Sequence, residues 1–163
     1  MLFPSLRVVR VAVSSVVFVV VFALPHGALA QVLDAPNASL VSPVGRWKTF
    51  DDATGRIKSI VAIREENGEL HGTIETLFDP PVPRPTCYLC SGAMKDRPLV
   101  GLQILWGFQP NGNKWSGGQV LDPESGKIYR GSLALEDGGA RLRLHGYIGI
   151  PLLGRTEHWS RVE

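Results

Sequence analysis

The sequence lacks the residue patterns on which most enzymes depend. It contains no Gly-x-Ser-x-Gly segment, no His-Glu-x-x-His segment and no phosphate-binding glycine loop. Only four histidines are present, and three of them, His71, His145 and His158, are scattered over separate predicted strands. From these absences we expect no catalytic residues, no metal site and no cofactor.

Positive charge is also scarce for a nucleic-acid-binding protein. The chain has 17 Lys and Arg against 15 Asp and Glu, and two of the basic residues, Arg7 and Arg10, fall in a predicted leader. A nucleic-acid surface needs Lys and Arg clustered on one face, so we expect no such partner. Long helical apolar stripes are missing as well, which argues against an α-helical domain.

The N-terminal stretch has the pattern of a secretory signal peptide. Its basic n-region, apolar run and small-residue cleavage signal are Arg7 and Arg10, Val11 to Leu24, and Ala28-Leu29-Ala30. The apolar run is shorter than the roughly 20 residues of a spanning helix, although an uncleaved anchor starting at Val8 is the alternative. We therefore predict a signal peptide over 1–30, a flexible lead-in over 31–43 and one domain over 44–163. The mature chain would have no membrane span and a periplasmic or secreted location.

The predicted domain consists of short strands separated by turns rich in Asn, Asp and Gly. Apolar and polar residues alternate between the turns, as where Leu142 and Leu144 alternate with Arg141 and Arg143. Eight strands are predicted, near 44–50, 56–64, 69–78, 99–108, 113–121, 126–135, 140–147 and 155–162. This spacing is typical of an antiparallel barrel or sandwich, and the removal of exposed edges by closure favours the barrel.

Two tryptophan segments lie at the two ends of this domain. Gly45 precedes Trp47 in the first strand, and Trp159-Ser160-Arg161 lies in the last. A glycine lets a neighbouring chain approach closely, and a buried indole can fill the end of a closed sheet. We predict that the first and last strands pair and close the barrel.

The two cysteines form the segment Cys87-Tyr88-Leu89-Cys90. In an oxidising compartment a disulfide is expected, and a ring this small stabilises by only about 2 kcal/mol. We interpret the pair as a clamp on its own loop. Redox or metal use of the pair is the alternative, although a redox-active pair usually begins a helix.

Two connections are not hairpins. The segment 79–98 is long and proline-rich, and loops of this length commonly cover a cavity. Gly149 to Gly154 is apolar, so we expect it to be buried at the mouth or floor of the barrel. Arg130 shares a strand face with Ile128 and could reach an anionic head group. The residues predicted to line a ligand site are Trp106, Arg130, Ile150, Leu152 and Leu153.

Several of these segments together resemble a secreted bacterial family, domain-of-unknown-function family 2147. The matching segments are Gly45-Arg46-Trp47, Cys87-x-x-Cys90-x-Gly92, Pro98 to Leu102, Asp122 to Tyr129, Gly146 to Gly149, Leu153-Gly154-Arg155 and Trp159-Ser160-Arg161. The resemblance implies a lipocalin-like, up-and-down barrel of eight antiparallel strands. It also implies that an arginine of the last strand packs on Trp47, with Arg161 the first candidate and Arg155 the second.

Three functions are compatible with this sequence. The first is binding of a small apolar or amphipathic ligand, because an eight-stranded barrel can hold one small ligand. The second is a protein–protein interaction in the cell envelope through 79–98. The third is thiol–disulfide chemistry at Cys87 and Cys90. We favour ligand binding without catalysis, and the sequence does not specify the oligomeric state.

Overall fold

The computed structural model describes residues 42–163. Its eight strands are β1 (Gly45–Phe50), β2 (Ile57–Glu66), β3 (Glu69–Leu77), β4 (Gln103–Asn111), β5 (Lys114–Asp122), β6 (Lys127–Glu136), β7 (Arg141–Tyr147) and β8 (Gly154–Arg161). Two single-turn 3-10 helices, Gly92–Met94 and Asp137–Gly139, lie in connections. The predicted signal peptide and nearly all of the predicted lead-in fall outside the described residues. Within 42–163, no helix has the length and apolar character that crossing a bilayer requires.

Each strand pairs antiparallel with the next, and β1 pairs with β8, so the sheet is a closed barrel. The predicted all-β antiparallel barrel is therefore confirmed. The seam between β1 and β8 is short, with Trp47 opposite Arg161 and Lys48 opposite Ser160. Because few residues pair there, side chains at the seam must supply part of the closure.

One end of the barrel, which we call the closed end, is filled around Trp47. The indole is fully buried, and its Nε1 donates a hydrogen bond to the Pro43 carbonyl at 2.8 Å. The Arg161 guanidinium lies 4.3 Å from the centroid of the indole. Gly45 has φ +138°, and a Cβ there would lie 2.7 Å from Arg161 Nη1. A side chain at position 45 would therefore displace the arginine from the seam.

Glycines inside the strands make room for large interior side chains. Phe108 is fully buried, and its ring lies against Gly118 of β5 and Gly131 of β6, where added Cβ atoms would come within 2.3 and 3.0 Å of it. Gly72 of β3 gives the same space to Leu105. Glycine within a strand pattern indicates such close packing, and here it lets a narrow barrel hold bulky residues.

The fourth strand begins later than the predicted 99–108. Leu99–Leu102 forms a turn in which the Leu102 N–H donates to the Leu99 carbonyl at 3.1 Å, and Gly101 has φ +87°. The turn leaves Val100 54% exposed. The apolar run placed the predicted start of the strand at residue 99. The turn at Gly101 delays the start of β4 by four residues, to Gln103.

Candidate functional site

The other end of the barrel is an open mouth surrounded by four connections. These are 51–56 between β1 and β2, 78–102 between β3 and β4, 123–126 between β5 and β6, and 148–153 between β7 and β8. The long 78–102 connection is fixed by its own backbone pairing. Thr86 and Pro98 form a β-bridge, and the Leu99 N–H donates to the Pro85 carbonyl at 2.9 Å. The proline-rich segment is thus held in place beside the mouth.

A cavity of about 300 Å³, which we call the inner cavity, extends from the mouth into the barrel. Residues of five strands supply most of its apolar wall: Ile74, Leu77, Ile104, Leu121, Leu144 and Trp159. Thr49 and Ser59 are buried polar residues of this wall, and their hydroxyls hydrogen-bond to each other at 2.7 Å. This pairing satisfies both hydroxyl groups, so the wall stays effectively apolar.

Charged side chains surround the rim of the inner cavity. Arg155 lies in ion pairs with Asp52 and, at 3.3 Å, with Glu157. Partial burial acts against the charge of Arg155, but the carboxylates of Glu157, Asp52 and Asp122 together outweigh it and raise the pKa of the guanidinium above its usual value. Trp159 Nε1 donates to Glu157 Oε2 at 3.0 Å, which links this rim to the aromatic wall below.

A second cavity of about 720 Å³, the outer cavity, lies beside the mouth under the 78–102 connection. Its apolar lining includes Ile57, Phe78, Val82 and Tyr88 together with prolines of that connection. Six residues line both cavities: Asp51, Lys58, Leu77, Leu99, Pro123 and Glu124. The two cavities are therefore adjacent, and the ion pair of Lys58 Nζ with Glu124 Oε1, at 2.7 Å, lies at their common boundary.

Cys87 and Cys90 form a disulfide, and both residues are buried. The loop they close packs against the turn between β5 and β6. A Cβ at Gly126 would lie only 2.0 Å from the Leu89 carbonyl oxygen, and Gly126 has φ +69°. The segments around Cys87 and around Gly126, distant in the sequence, therefore fit against each other at the mouth, with Tyr88 turned toward the outer cavity.

We expect reduction of the disulfide to lower the free energy of unfolding by only about 2 kcal/mol, because the bridge closes a very small ring. Urea denaturation of the reduced wild-type protein and of a variant with both cysteines replaced by alanine measures this. The variant should unfold at a somewhat lower urea concentration than the reduced protein, because it also lacks two buried sulfur atoms. Complete unfolding on reduction would contradict the interpretation that the bridge is a local clamp.

The predicted ligand-lining residues lie elsewhere than the cavities. Trp106 of β4 pairs with Gln119, and Gln119 pairs with Arg130 of β6. Their strand neighbours Leu105, Val120 and Tyr129 face the interior, so Trp106 and Arg130 belong to the outer face. None of the five predicted residues lines the inner cavity, the outer cavity or a small third cavity of about 80 Å³.

The apolar 148–153 connection was expected to be buried, but it is exposed. Leu152 and Leu153 are 88% and 73% exposed, and Ile150 is exposed as well. The connection forms its own turn, because the Leu153 N–H donates to the Ile150 carbonyl at 3.2 Å. His145 Nε2 lies 2.9 Å from the Pro151 carbonyl and holds the turn outward from the mouth.

Sequence reasoning missed Lys58, Leu77, Leu99 and Glu157 as cavity residues. Glu157 had a usable signal. It lies two residues before Trp159 and four before Arg161 along β8, so the two-residue period of a strand places it on their interior face. Lys58 and Leu99 had no such signal, because they line a cavity only through the way the connections fold around the mouth. Among residues 42–163, no group of three or more His, Cys, Asp or Glu side chains is arranged to hold a metal ion.

Comparisons with known proteins agree with this architecture. A family model described as "Uncharacterized protein conserved in bacteria (DUF2147)" matches residues 45–161. Among solved structures, the chain is similar to protein HP1028 from the human pathogen Helicobacter pylori, described as belonging to the lipocalin family. The TM-score is 0.65 at 21% sequence identity, over 75% of this chain and 84% of that one. This likeness establishes a lipocalin-like fold. No curated protein matches the chain significantly.

Proposed function

We propose, from the premise that this chain belongs to the bacterial DUF2147 family, that it binds a small apolar or amphipathic ligand in the cavities at the barrel mouth. The observation that carries the proposal is the apolar inner cavity, which adjoins a larger apolar outer cavity. Ligand sites are typically concave and mostly apolar, with a few polar groups that orient the ligand. Arg155, Glu157 and Lys58 are such groups here. The lipocalin-like fold supports the proposal by analogy alone.

We propose a periplasmic or secreted location for this binding protein. The buried disulfide supports it, because disulfides persist in oxidising compartments and are rare in the cytosol. The predicted signal peptide over 1–30 gives independent support from the sequence. Fractionation of cells that produce the tagged full-length chain tests the location, and recovery in the cytoplasm with free thiols would contradict it.

Binding without catalysis is also part of the proposal. Two cavity carboxylates are engaged in ion pairs, Glu124 with Lys58 and Asp52 with Arg155, and a hydrogen bond from the Thr54 hydroxyl lowers the pKa of Asp51. General acid–base catalysis instead requires a group whose pKa lies near the working pH. The two sulfurs are buried within a disulfide, which supports a clamp over thiol–disulfide exchange.

We expect Leu99→Trp to weaken binding of the neutral fluorescent probe N-phenyl-1-naphthylamine at least about tenfold, or about 1.4 kcal/mol. Leu99 is half-buried and lines both cavities, so the larger ring would occupy their common boundary. Titration of probe fluorescence measures the affinity. Ile128→Trp is the matched control, because Ile128 is exposed and lines neither cavity. Equal affinities in the two variants, or no binding by the wild-type protein, would contradict the proposal.

Interaction with another envelope protein is a second candidate, favoured by the exposed apolar side chains of the 78–102 connection. Phe78, Val82, Tyr88, Leu89 and Val100 are all exposed. In-cell crosslinking from position 89 tests this candidate. A single crosslinked partner that is lost in Leu89→Asp would support it, whereas diffuse or absent crosslinking would oppose it.

A further inference from the structure

We infer that the inner cavity selects amphiphiles whose polar head is positively charged, such as an alkyl ammonium, over those with a carboxylate or phosphate head. The inference rests on the proposed function and specifies the class of ligand. It comes from the imbalance between acidic and basic side chains around a cavity whose walls are otherwise apolar.

The inner cavity is lined by five carboxylates and two cationic side chains. Both cations are already engaged, because Lys58 pairs with Glu124 and Arg155 pairs with Asp52 and Glu157. An anionic head group would have to displace a carboxylate from one of these pairs. It would also meet the remaining negative charge of the rim, and like charges in a low-dielectric cleft repel strongly.

A cationic head finds the opposite situation. Glu157 is only partly neutralised, since it shares Arg155 with Asp52, and it lies beside the buried ring of Trp159. Asp122 also lines the cavity, and its carboxylate accepts hydrogen bonds from the Glu124 N–H and the Ser125 hydroxyl rather than forming an ion pair. An ammonium group placed here would be attracted to the two carboxylates.

The outer cavity suits the other end of such a molecule. Its lining has three acidic and three basic residues, so it carries no comparable excess of charge. Phe78, Val82 and Tyr88 supply apolar surface there. We therefore infer a bound orientation with the cationic head at the rim of the inner cavity and the apolar tail extending under the 78–102 connection.

Three probes with equal chain length test the inference: dodecylamine and dodecanoate below their micelle concentrations, and dodecanol below its solubility limit. An alkyl ammonium, like a lysine side chain, keeps its proton at neutral pH. Isothermal titration calorimetry should give the order amine, alcohol, acid, with amine at least about tenfold tighter than acid at low salt. The difference should shrink at about 0.5 M salt as the charges are screened.

Two variants tie this order to the cavity. Glu157→Gln and Asp122→Asn should each lower the ratio of amine affinity to dodecanol affinity about three- to tenfold. Glu66→Gln, which removes one exposed carboxylate at the closed end of the barrel, is the matched control and should change neither affinity. Circular dichroism melting curves verify that each variant is folded.

The outcomes separate this inference from the proposed function. Equal affinity for amine and acid, or tighter binding of the acid, would overturn the charge preference while dodecanol binding still supported a ligand site. Failure of all three probes to bind would overturn both. An amine preference unaffected by Glu157→Gln and Asp122→Asn would also overturn the inference, because binding would then depend on another part of the surface.

Discussion

Trp47→Ala should lower the free energy of unfolding by about 3–5 kcal/mol, the usual cost of truncating a buried tryptophan. Trp47 is fully buried, donates a hydrogen bond to the Pro43 carbonyl and supports the guanidinium of Arg161. Within β1 it pairs with Val61 of β2 on one side and with Arg161 of β8 on the other, so it joins the seam to the rest of the sheet. Its removal leaves a cavity where the barrel closes.

Urea denaturation followed by circular dichroism measures this loss. Trp106→Ala is the matched control, since Trp106 is a half-buried tryptophan on the outer face of β4 and its loss creates no enclosed cavity. We expect the control to lose less than half as much stability. Domains of this kind have total stabilities of only about 5–15 kcal/mol, so the expected loss is a large fraction of the whole. A loss below about 1 kcal/mol in Trp47→Ala would contradict the role assigned to the indole.

The barrel could be predicted from the sequence because its local signals agree with its long-range contacts. Leu142 and Leu144 are buried while Arg141 is exposed, so the alternation gave the correct inner face. Asn67-Gly68 and Gly112-Asn113 form hairpin turns within the turn segments that were predicted. The two-residue side-chain period and turns that require positive φ are short-range properties, which is why all eight strands could be located.

The candidate site could be predicted only in part, because strands build the wall of the inner cavity whereas connections contribute to its rim and cover the outer cavity. The contact of Leu89 with Gly126 and the ion pair of Lys58 with Glu124 join residues that are far apart in the sequence. No periodic pattern encodes such contacts. Apolar composition alone was also misleading: Ile150, Leu152 and Leu153 were expected to be buried, but hydrogen bonds at Leu153 and Pro151 fix the turn away from the core.

Arg161→Ala is expected to cost about 2–4 kcal/mol, because one guanidinium joins three parts of the closed end. Its Nε, Nη1 and Nη2 donate to the carbonyls of Gly139, Val44 and Ser42 at 2.8, 3.0 and 2.8 Å. Hydrogen bonds from charged donors contribute about 1.5–3 kcal/mol each when buried, and partial exposure reduces that figure. Burial lowers the pKa of this arginine, but a guanidinium stays charged at any physiological pH.

Arg161→Lys distinguishes the role of the guanidinium from that of charge alone. A lysine keeps the charge, but its single ammonium lacks the planar fork needed to reach three carbonyls in different directions. We expect Arg161→Lys to recover less than half of the lost stability. In the double variant with Trp47→Ala, the two losses should fall short of additivity by about 1 kcal/mol or more, since the arginine rests on the indole at 4.3 Å. Full additivity would mean that the two residues stabilise the barrel independently, and closure would then depend on the β1–β8 hydrogen bonds rather than on this stacked pair.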